Sequence, residues 1–178
     1  GQYSPAGLFG IVEEQGSIES LSVRGVVSVS DSADTTTGGI VGINHGTLIN
    51  CQFTGVVTGD SEVGGIVGRN ESEGTIDHST ARAIVTGKSS TGGIAGYNLG
   101  AITGCTNVGS INTEYPEASL DTDGFTAKMV DYINNKMAAA ADDATNSVTN
   151  VATDTGGIAG RSSGMILTSV NTGTVGYE

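Results

Sequence analysis

The sequence predicts an all-β parallel β-solenoid of about five rungs with one inserted amphipathic α-helix. Three observations predict this fold: a glycine-rich unit that recurs along the chain, a fixed register of aliphatic residues inside the unit, and short apolar pieces rich in valine, isoleucine and threonine. Self-similarity of this kind is typical of solenoids, propellers and arrays. A propeller with five blades is the alternative, and it is disfavoured because a blade needs about 40 or more residues.

The repeated unit is clearest from Gly38 to Gly59, where the chain reads GGIVGINHGTLINCQFTGVVTG. Similar units begin at Gly64, Gly92 and Gly156, and a looser first copy begins at Ala6. Each unit contains about three short pieces with the composition of β-strands, bounded by glycine, asparagine, aspartate or serine. One unit cannot bury its apolar face alone. We therefore expect the units to stack, with each strand paired to its equivalent in the next unit.

Two aliphatic columns recur at fixed positions after the middle glycine of each unit. The first column is Ile18, Leu48, Ile76, Ile102 and Ile166. The second column is Val27, Val57, Val85, Ile111 and Val175. If equivalent strands lie about 4.8 Å apart, each column forms a ladder inside the coil. Each fully buried member contributes about 1.5–3 kcal/mol, so stacked units form a plausible core although aromatic residues are scarce.

The two cysteines, Cys51 and Cys105, occupy the same position in units that are two steps apart. Two steps separate them by about 9.6 Å, whereas a disulfide needs Cα atoms within about 7 Å. We therefore expect two free thiols that pack as small buried residues. We expect no metal or other cofactor there. His78 lies close to the cysteine column, but no further ligand is arranged with it to complete a metal site.

The repeat is interrupted at about residues 113–155 by a segment of different composition. Large apolar side chains recur there at helical spacing, which predicts an amphipathic helix capped by Asp123. The apolar face is formed by Phe125, Met129, Tyr132, Ile133 and Met137. We interpret this helix as packing on one flank of the solenoid; the alternative is a surface that binds a partner or covers a ligand.

Acidic residues occur in several predicted turns. Residues 121–124, which read DTDG, resemble the start of a calcium loop, but the other ligands and the closing glutamate of such a loop are missing. Four further acidic residues of the turns are Asp31, Asp34, Asp60 and Glu62. The simplest interpretation is a solvated rim, with a cation bound in the turns as the alternative.

Length and charge limit the possible functions. The 178 residues are consistent with a single solenoid domain that spans residues 1–178. The net charge of −12, with seven scattered basic residues, argues against binding to nucleic acid or to an anionic membrane surface. No apolar run approaches the 18 or so residues of a membrane span, so we expect no direct membrane insertion. Because the chain opens at Gly1 without a methionine, we expect it to neighbour other domains of a longer chain.

The sequence contains no recognisable catalytic set. Asp77, His78 and Arg82 combine an acid, a base and a cation, but no second carboxylate follows in the neighbouring units. General acid and base chemistry on a sugar needs two carboxyl groups at a defined separation. We therefore predict that the protein is not an enzyme. The alternative is a carbohydrate-active parallel β-helix, a lyase or hydrolase, which a groove lined by two close carboxylates would favour.

A short core recurs in every unit, as GLFG at Gly7–Gly10, GIVG at Gly39–Gly42 and Gly65–Gly68, and GIAG at Gly93–Gly96 and Gly157–Gly160. With the polar turn and the G-T-I that follow it, this core resembles the GLUG-motif repeats of bacterial surface and secreted proteins. That family also includes the non-catalytic part of immunoglobulin-A-cleaving metallopeptidases. The resemblance implies an extracellular or cell-surface location, an adhesin-like role in cell adhesion, and no cofactor. We therefore expect a non-catalytic structural or adhesive module of a longer chain, which either acts as a spacer for neighbouring domains or presents a binding face to a host protein or glycan.

Overall fold

The computed structural model describes residues 4–29, 35–113 and 153–176, and these residues form a parallel β-solenoid. The strands are β1 (Ser4–Ala6), β2 (Phe9–Val12), β3 (Ser17–Glu19), β4 (Ser22–Ser28), β5 (Thr35–Gly38), β6 (Val41–Asn44), β7 (Thr47–Ile49), β8 (Gln52–Thr58), β9 (Ser61–Gly64), β10 (Val67–Asn70), β11 (Thr75–Asp77), β12 (Thr80–Thr86), β13 (Ser89–Gly92), β14 (Ala95–Asn98), β15 (Ala101–Thr103), β16 (Thr106–Asn107), β17 (Ser110–Ile111), β18 (Thr153–Gly156), β19 (Ala159–Ser162), β20 (Met165–Leu167) and β21 (Val170–Asn171).

These strands form four sheets in which equivalent strands of successive units are neighbours. The first sheet has the order β1-β5-β9-β13-β18, the second β2-β6-β10-β14-β19 and the third β3-β7-β11-β15-β20. The fourth sheet has the order β4-β8-β12-β16-β21, and β17 pairs with the far end of β12. Every pairing is parallel, so each unit adds one layer to the coil.

Two expectations about the architecture need correction. Five strands in a sheet are separated by four steps, so the described chain makes about four turns, and the prediction of about five rungs is not supported. No helix occurs in the part of the chain that the structure describes. The helix predicted at about residues 113–155 falls almost wholly in residues 114–152. Its predicted face, with Phe125, Met129, Tyr132, Ile133 and Met137, therefore lies outside the described residues.

The first aliphatic column lies in the third sheet. Ile76 pairs with Leu48 on one side and with Ile102 on the other, and all three side chains are fully buried. Ile18 continues the column next to Leu48, where it is half-buried. At the other end, Ile166 pairs with Ile102 but is 39% exposed, because a neighbouring layer covers one of its sides only.

The second aliphatic column lies at the end of the fourth sheet. Val57 pairs with Val27 and with Val85, and Val85 pairs with Ile111. Val175 adds an isolated bridge to Ile111 and is 39% exposed. Ile166 and Val175, the members of the two columns in the last layer, are therefore partly exposed and not inside the coil as expected. The buried apolar residues of the middle layers form one continuous core.

The double glycine of each unit forms a tight corner between the first and second sheets. A Cβ atom on Gly64 would lie 1.9 Å from the carbonyl oxygen of Val67, and one on Gly65 would lie 2.2 Å from the carbonyl oxygen of Gly93. A Cβ on Gly68 would lie 2.6 Å from the backbone nitrogen of Thr37 in the first sheet. The glycines of the G-G-I-x-G pattern are therefore required because two backbones approach closely there, which a side chain would prevent.

A ladder of buried asparagines follows the same corner. Asn44 Nδ2 donates to Asn70 Oδ1 at 2.8 Å, and Asn70 Nδ2 donates to Asn98 Oδ1 at 2.9 Å. Asn98 Nδ2 then donates to Ser162 Oγ at 3.2 Å, while in the first layer Val12 stands beside Asn44. Asn70 and Asn98 are fully buried, and each also donates to a nearby backbone carbonyl. The ladder satisfies polar groups that have no access to water.

The first sheet contains a buried hydroxyl whose removal should stabilise the protein. Thr91 is fully buried and its Oγ1 has no hydrogen-bond partner, while its register neighbour on one side is Val63. Because Val63 shows that the column accepts valine, we expect Thr91→Val to raise the free energy of unfolding by about 1 kcal/mol. Urea denaturation followed by circular dichroism measures this change.

The matched control is Thr155, the register neighbour of Thr91 on the other side. Its hydroxyl accepts a hydrogen bond from Asn112 Nδ2 at 2.9 Å, so Thr155→Val should destabilise the protein instead. Equal effects of the two substitutions would contradict the role assigned to the unpaired Thr91 hydroxyl.

Candidate functional site

The second sheet carries the most elaborate cluster of charged and aromatic side chains among the described residues. Register pairing places Arg69 of β10 beside Tyr97 of β14, and Tyr97 beside Arg161 of β19. On the other side of Arg69 the same position is occupied by Ile43, and then by Ile11. We call these five residues the Tyr97 column. The column changes from apolar in the first layers to cationic and aromatic in the later ones.

Arg69 is held by two carboxylates. Its Nη1 donates to Glu62 Oε1 at 2.6 Å, and its Nε donates to Glu71 Oε1. Glu62 comes from the first sheet, whereas Glu71 follows β10 directly, so the ion pairs join the two sheets at the corner of the unit. Charge-assisted hydrogen bonds of this kind are about twice as strong as neutral ones, so the Arg69 guanidinium has a fixed position.

Glu62 is 8% exposed, and its Oε2 atom has no partner among the described residues. Burial raises the pKa of the Glu62 carboxyl, and the neighbouring Arg69 opposes this shift without cancelling it. The desolvation of the carboxylate therefore outweighs the attraction of its ion pair. The expectation that Glu62 belongs to a solvated rim is wrong for this residue.

The ring of Tyr97 lies between two guanidinium groups. Arg69 Cζ is 4.8 Å and Arg161 Cζ is 5.4 Å from the ring centroid. The Tyr97 hydroxyl lies 3.5 Å from Ser163 Oγ. Both distances to the centroid fall within the range of a cation–π interaction. The Tyr97 ring attracts both guanidinium groups and so offsets part of the repulsion between them. It also positions Arg161, which is the more exposed of the two arginines.

Of the three residues that the sequence suggested around Asp77, the structure brings Asp77 and His78 into contact and places Arg82 apart from them on another sheet. His78 Nδ1 lies 2.9 Å from Asp77 Oδ1, and the His78 side chain is 69% exposed. Arg82 lies in β12 of the fourth sheet, opposite Thr54. Asp60 forms an ion pair of 2.8 Å with Lys88, while Asp31 and Asp34 lie outside the described residues. The described ranges contain no group of three or more residues that could hold a metal ion.

The two cysteines are free and buried. Ser79 lies between them in the column: the Cys51 backbone nitrogen donates to Ser79 Oγ at 3.1 Å, and the Ser79 nitrogen donates to Cys105 Sγ at 3.4 Å. Burial raises the pKa of the Cys105 thiol to about 11. This position is therefore part of the core rather than a reactive centre.

The raised pKa of Cys105 predicts both slow alkylation and a loss of stability at high pH. Because the folded pKa of about 11 lies above the usual value of 9.0, its stabilising contribution is complete below about pH 9 and is lost as the pH rises towards 11. Native protein with Cys51→Ser should resist iodoacetamide at pH 8, and unfolding it in urea should allow rapid labelling. Rapid labelling of the native variant would contradict this prediction.

The Tyr97 column is not apparent from the repeat pattern, because the residue before the repeated asparagine varies between units. One signal was available: that position reads Ile43, Arg69, Tyr97 and Arg161. A large side chain is thus always present, although the chemical type changes. The pairing of Arg69 with Glu62 required the structure, because it depends on the angle between the first two sheets at the glycine corner.

Comparison with known proteins supports the repeat. A family model described as the GLUG motif matches residues 59–86. A curated relative, halomucin from Haloquadratum walsbyi, is 36% identical over 75 residues, which are 42% of this chain and 1% of that protein. The chain therefore spans only a small part of that relative. No solved structure gives a significant match.

The family match coincides with one layer of the coil. Residues 59–86 contain β9, β10, β11 and β12, one strand from each sheet, so the matched segment is one complete unit of the coil. Equivalent strands pair with it in register on both sides. The part of the chain that the structure describes contains no helix with the length and apolar character needed to cross a membrane. One unit of this chain, residues 59–86, therefore matches the GLUG motif, and equivalent strands of the neighbouring units stack in register above and below it.

Proposed function

We propose that the chain is a non-catalytic repeat module of a surface or secreted protein, which presents one face of its solenoid to a glycan or protein of the surroundings. The observation that carries this proposal is the Tyr97 column, an ordered row of cationic and aromatic side chains on a rigid sheet. Such residues are enriched where proteins recognise partners. The GLUG match and the similarity to halomucin support a repeat module of this kind.

The rigidity of the solenoid supports the presenting role. Arg69 is fixed by two ion pairs, and the strand that carries it is hydrogen-bonded on both sides within the second sheet. Side chains held in this way lose little conformational freedom when they bind, which reduces the cost of association. A linear stack of layers also separates whatever precedes it from whatever follows it, so the same module serves as a spacer.

A binding screen tests the presenting role. The protein is applied to an array of glycans and to immobilised extracellular matrix proteins, and each signal is repeated with Tyr97→Ala. Arg82→Gln, on the fourth sheet, is the matched surface control. We expect at least one ligand whose binding falls about tenfold or more with Tyr97→Ala and is unchanged with Arg82→Gln. If no ligand binds, the presenting role is rejected and only the spacer role remains.

A carbohydrate-active enzyme is the second candidate, because Glu62 and Glu71 meet at one guanidinium and burial raises the pKa of Glu62. Two carboxyl groups near each other are what acid and base chemistry on a sugar requires. Incubation with neutral and acidic polysaccharides, followed by assays for reducing ends and unsaturated products, separates the candidates. Products that disappear with Glu71→Gln would establish the enzyme, and their absence supports the binding module.

A further inference from the structure

We propose that Arg161, Tyr97 and Ser163 form a binding site for an oxyanion, the carboxylate or sulfate group of an acidic glycan. This inference rests on the proposed function and specifies the ligand of the same face. It follows from a comparison of two equivalent positions in the coil. Arg69 and Arg161 occupy the same position of the second sheet, on opposite sides of Tyr97.

The two arginines differ in the carboxylates around them. Glu71 follows Asn70, and its backbone N–H donates to the carbonyl oxygen of Asn44 in the preceding layer. Ser163 follows Ser162, and its backbone N–H donates to the carbonyl oxygen of Asn98 in the same way. Ser163 therefore stands in the place of Glu71. A hydroxyl group is present where Arg69 has an anionic partner, so the last layer lacks the equivalent of one of the two carboxylates that hold Arg69.

The second carboxylate is also different. Glu62 and Asp154 both follow the first residue of their strands in the first sheet, and both have positive φ, at 43° and 53°. Asp154 thus corresponds to Glu62, but its side chain is one methylene shorter and its residue is exposed. Among the described residues, the Arg161 guanidinium contacts the Tyr97 ring, and the Glu62 carboxylate, two layers away, attracts it at longer range.

Arg161 is nevertheless positioned. Its Cζ lies 5.4 Å from the Tyr97 ring centroid, and the opposite face of that ring is covered by Arg69, which is itself anchored by ion pairs. The Tyr97 hydroxyl lies 3.5 Å from Ser163 Oγ of the next layer. One exposed guanidinium and two hydroxyl groups are therefore close together. This is a set of donors without a carboxylate acceptor among them.

The chemistry of these donors selects the ligand. A guanidinium binds a carboxylate or sulfate through parallel N–H donors, and hydroxyl groups add further hydrogen bonds to its oxygens. Arg161 and Ser163 are exposed and Tyr97 is half-buried, whereas a peptide partner is usually anchored by a side chain that becomes fully buried. An acidic sugar, which is polar over most of its surface, fits such a site. Asp154 and the net charge of −12 repel anions. We therefore expect binding only by a ligand whose oxyanion contacts the Arg161 guanidinium directly.

Affinity electrophoresis of the whole chain tests the proposal, with polygalacturonate, dextran sulfate or neutral dextran in the gel. We expect retardation by polygalacturonate if the ligand group is a carboxylate, by dextran sulfate if it is a sulfate ester, and none by neutral dextran. Arg161→Gln should weaken retardation at least tenfold. Ser163→Glu should do the same, because it restores the carboxylate that Arg69 has. Arg82→Gln should leave binding unchanged.

Each other result has a definite meaning. No retardation by either anionic polymer, or equal losses with Arg82→Gln and Arg161→Gln, overturns the oxyanion site. Circular dichroism establishes that each variant is folded, and Ser163→Ala supplies a milder change that removes one hydroxyl only. If the array screen finds a ligand whose binding needs Tyr97 but not Arg161, this site is wrong while the proposed function stands. If nothing binds in either experiment, both fail.

Discussion

Replacing Asn70 with alanine is expected to lower the free energy of unfolding by about 2–5 kcal/mol. The Asn70 side chain is fully buried, accepts a hydrogen bond from Asn44 and donates one to Asn98. Its removal leaves a donor on one neighbour and an acceptor on the other without their partners, in a place that water does not reach. Chemical denaturation of the purified variant, followed by circular dichroism, measures the loss.

Two further variants make this prediction specific to the buried ladder. Asn70→Asp should be at least as damaging, since a carboxylate cannot donate to Asn98 and its charge would be buried. Asn171→Ala is the control: Asn171 accepts from Asn107 Nδ2 at 2.7 Å, but it is exposed in the last layer. Water replaces the lost contacts there, so we expect a change below about 1 kcal/mol. Similar losses at Asn70 and Asn171 would contradict the prediction.

Gly68→Ala is expected to destabilise the protein by about 3 kcal/mol or more, because the added methyl group has no space. Its Cβ would lie 2.6 Å from the Thr37 nitrogen, 2.8 Å from the Gly42 oxygen and 2.9 Å from the Thr36 carbonyl carbon. All three atoms belong to the backbone, so relief requires separation of the first two sheets. The midpoint of thermal or urea unfolding reports the effect.

Gly10→Ala is the matched control, since Gly10 stands in the same column of the first layer, opposite Gly42. The nearest atoms to its Cβ are the Cγ and oxygen of Pro5, both at 3.8 Å, which is ordinary van der Waals contact. We expect Gly10→Ala to be neutral or slightly stabilising through the unfolded state. A strong loss at Gly10, or a neutral effect at Gly68, would show that the glycines are required for some reason other than space.

Repetition made much of the fold predictable. A residue that recurs at one position of every unit must satisfy the same environment in every layer, so register could be derived by counting from the middle glycine. The pairing of Ile76 with Leu48 and Ile102 follows that count. The separation of Cys51 and Cys105 follows it as well, with Ser79 between them.

The first sheet could not be predicted in the same way. Its strands, such as Thr35–Gly38 and Ser89–Gly92, are polar and small, so they lack the apolar alternation that indicates a strand. They form strands because the glycines of the second sheet have no side chain and leave room for their backbones to pack closely. This packing depends on both sheets and cannot be seen in either sequence segment alone. About three strands per unit were therefore expected where the structure has four sheets.

The candidate site depends still more on tertiary structure. A guanidinium and a carboxylate that are seven residues apart, Arg69 and Glu62, meet only because the glycine corner returns the chain beside itself. The contrast with Arg161 requires knowledge of which residues stack, and Tyr97 acquires its role from the layers on either side.

The amino-acid sequence by itself determined that this is a stacked repeat, where its layers are in register and which residues line its core. These properties follow from periodicity, because identical environments demand similar side chains. Only the tertiary structure decided the four-sided cross-section, the exposure of Ile166 and Val175 in the last layer, and the meeting of charges along the Tyr97 column. Those depend on the angles at the corners and on which layer has a neighbour, and periodicity carries no information about either.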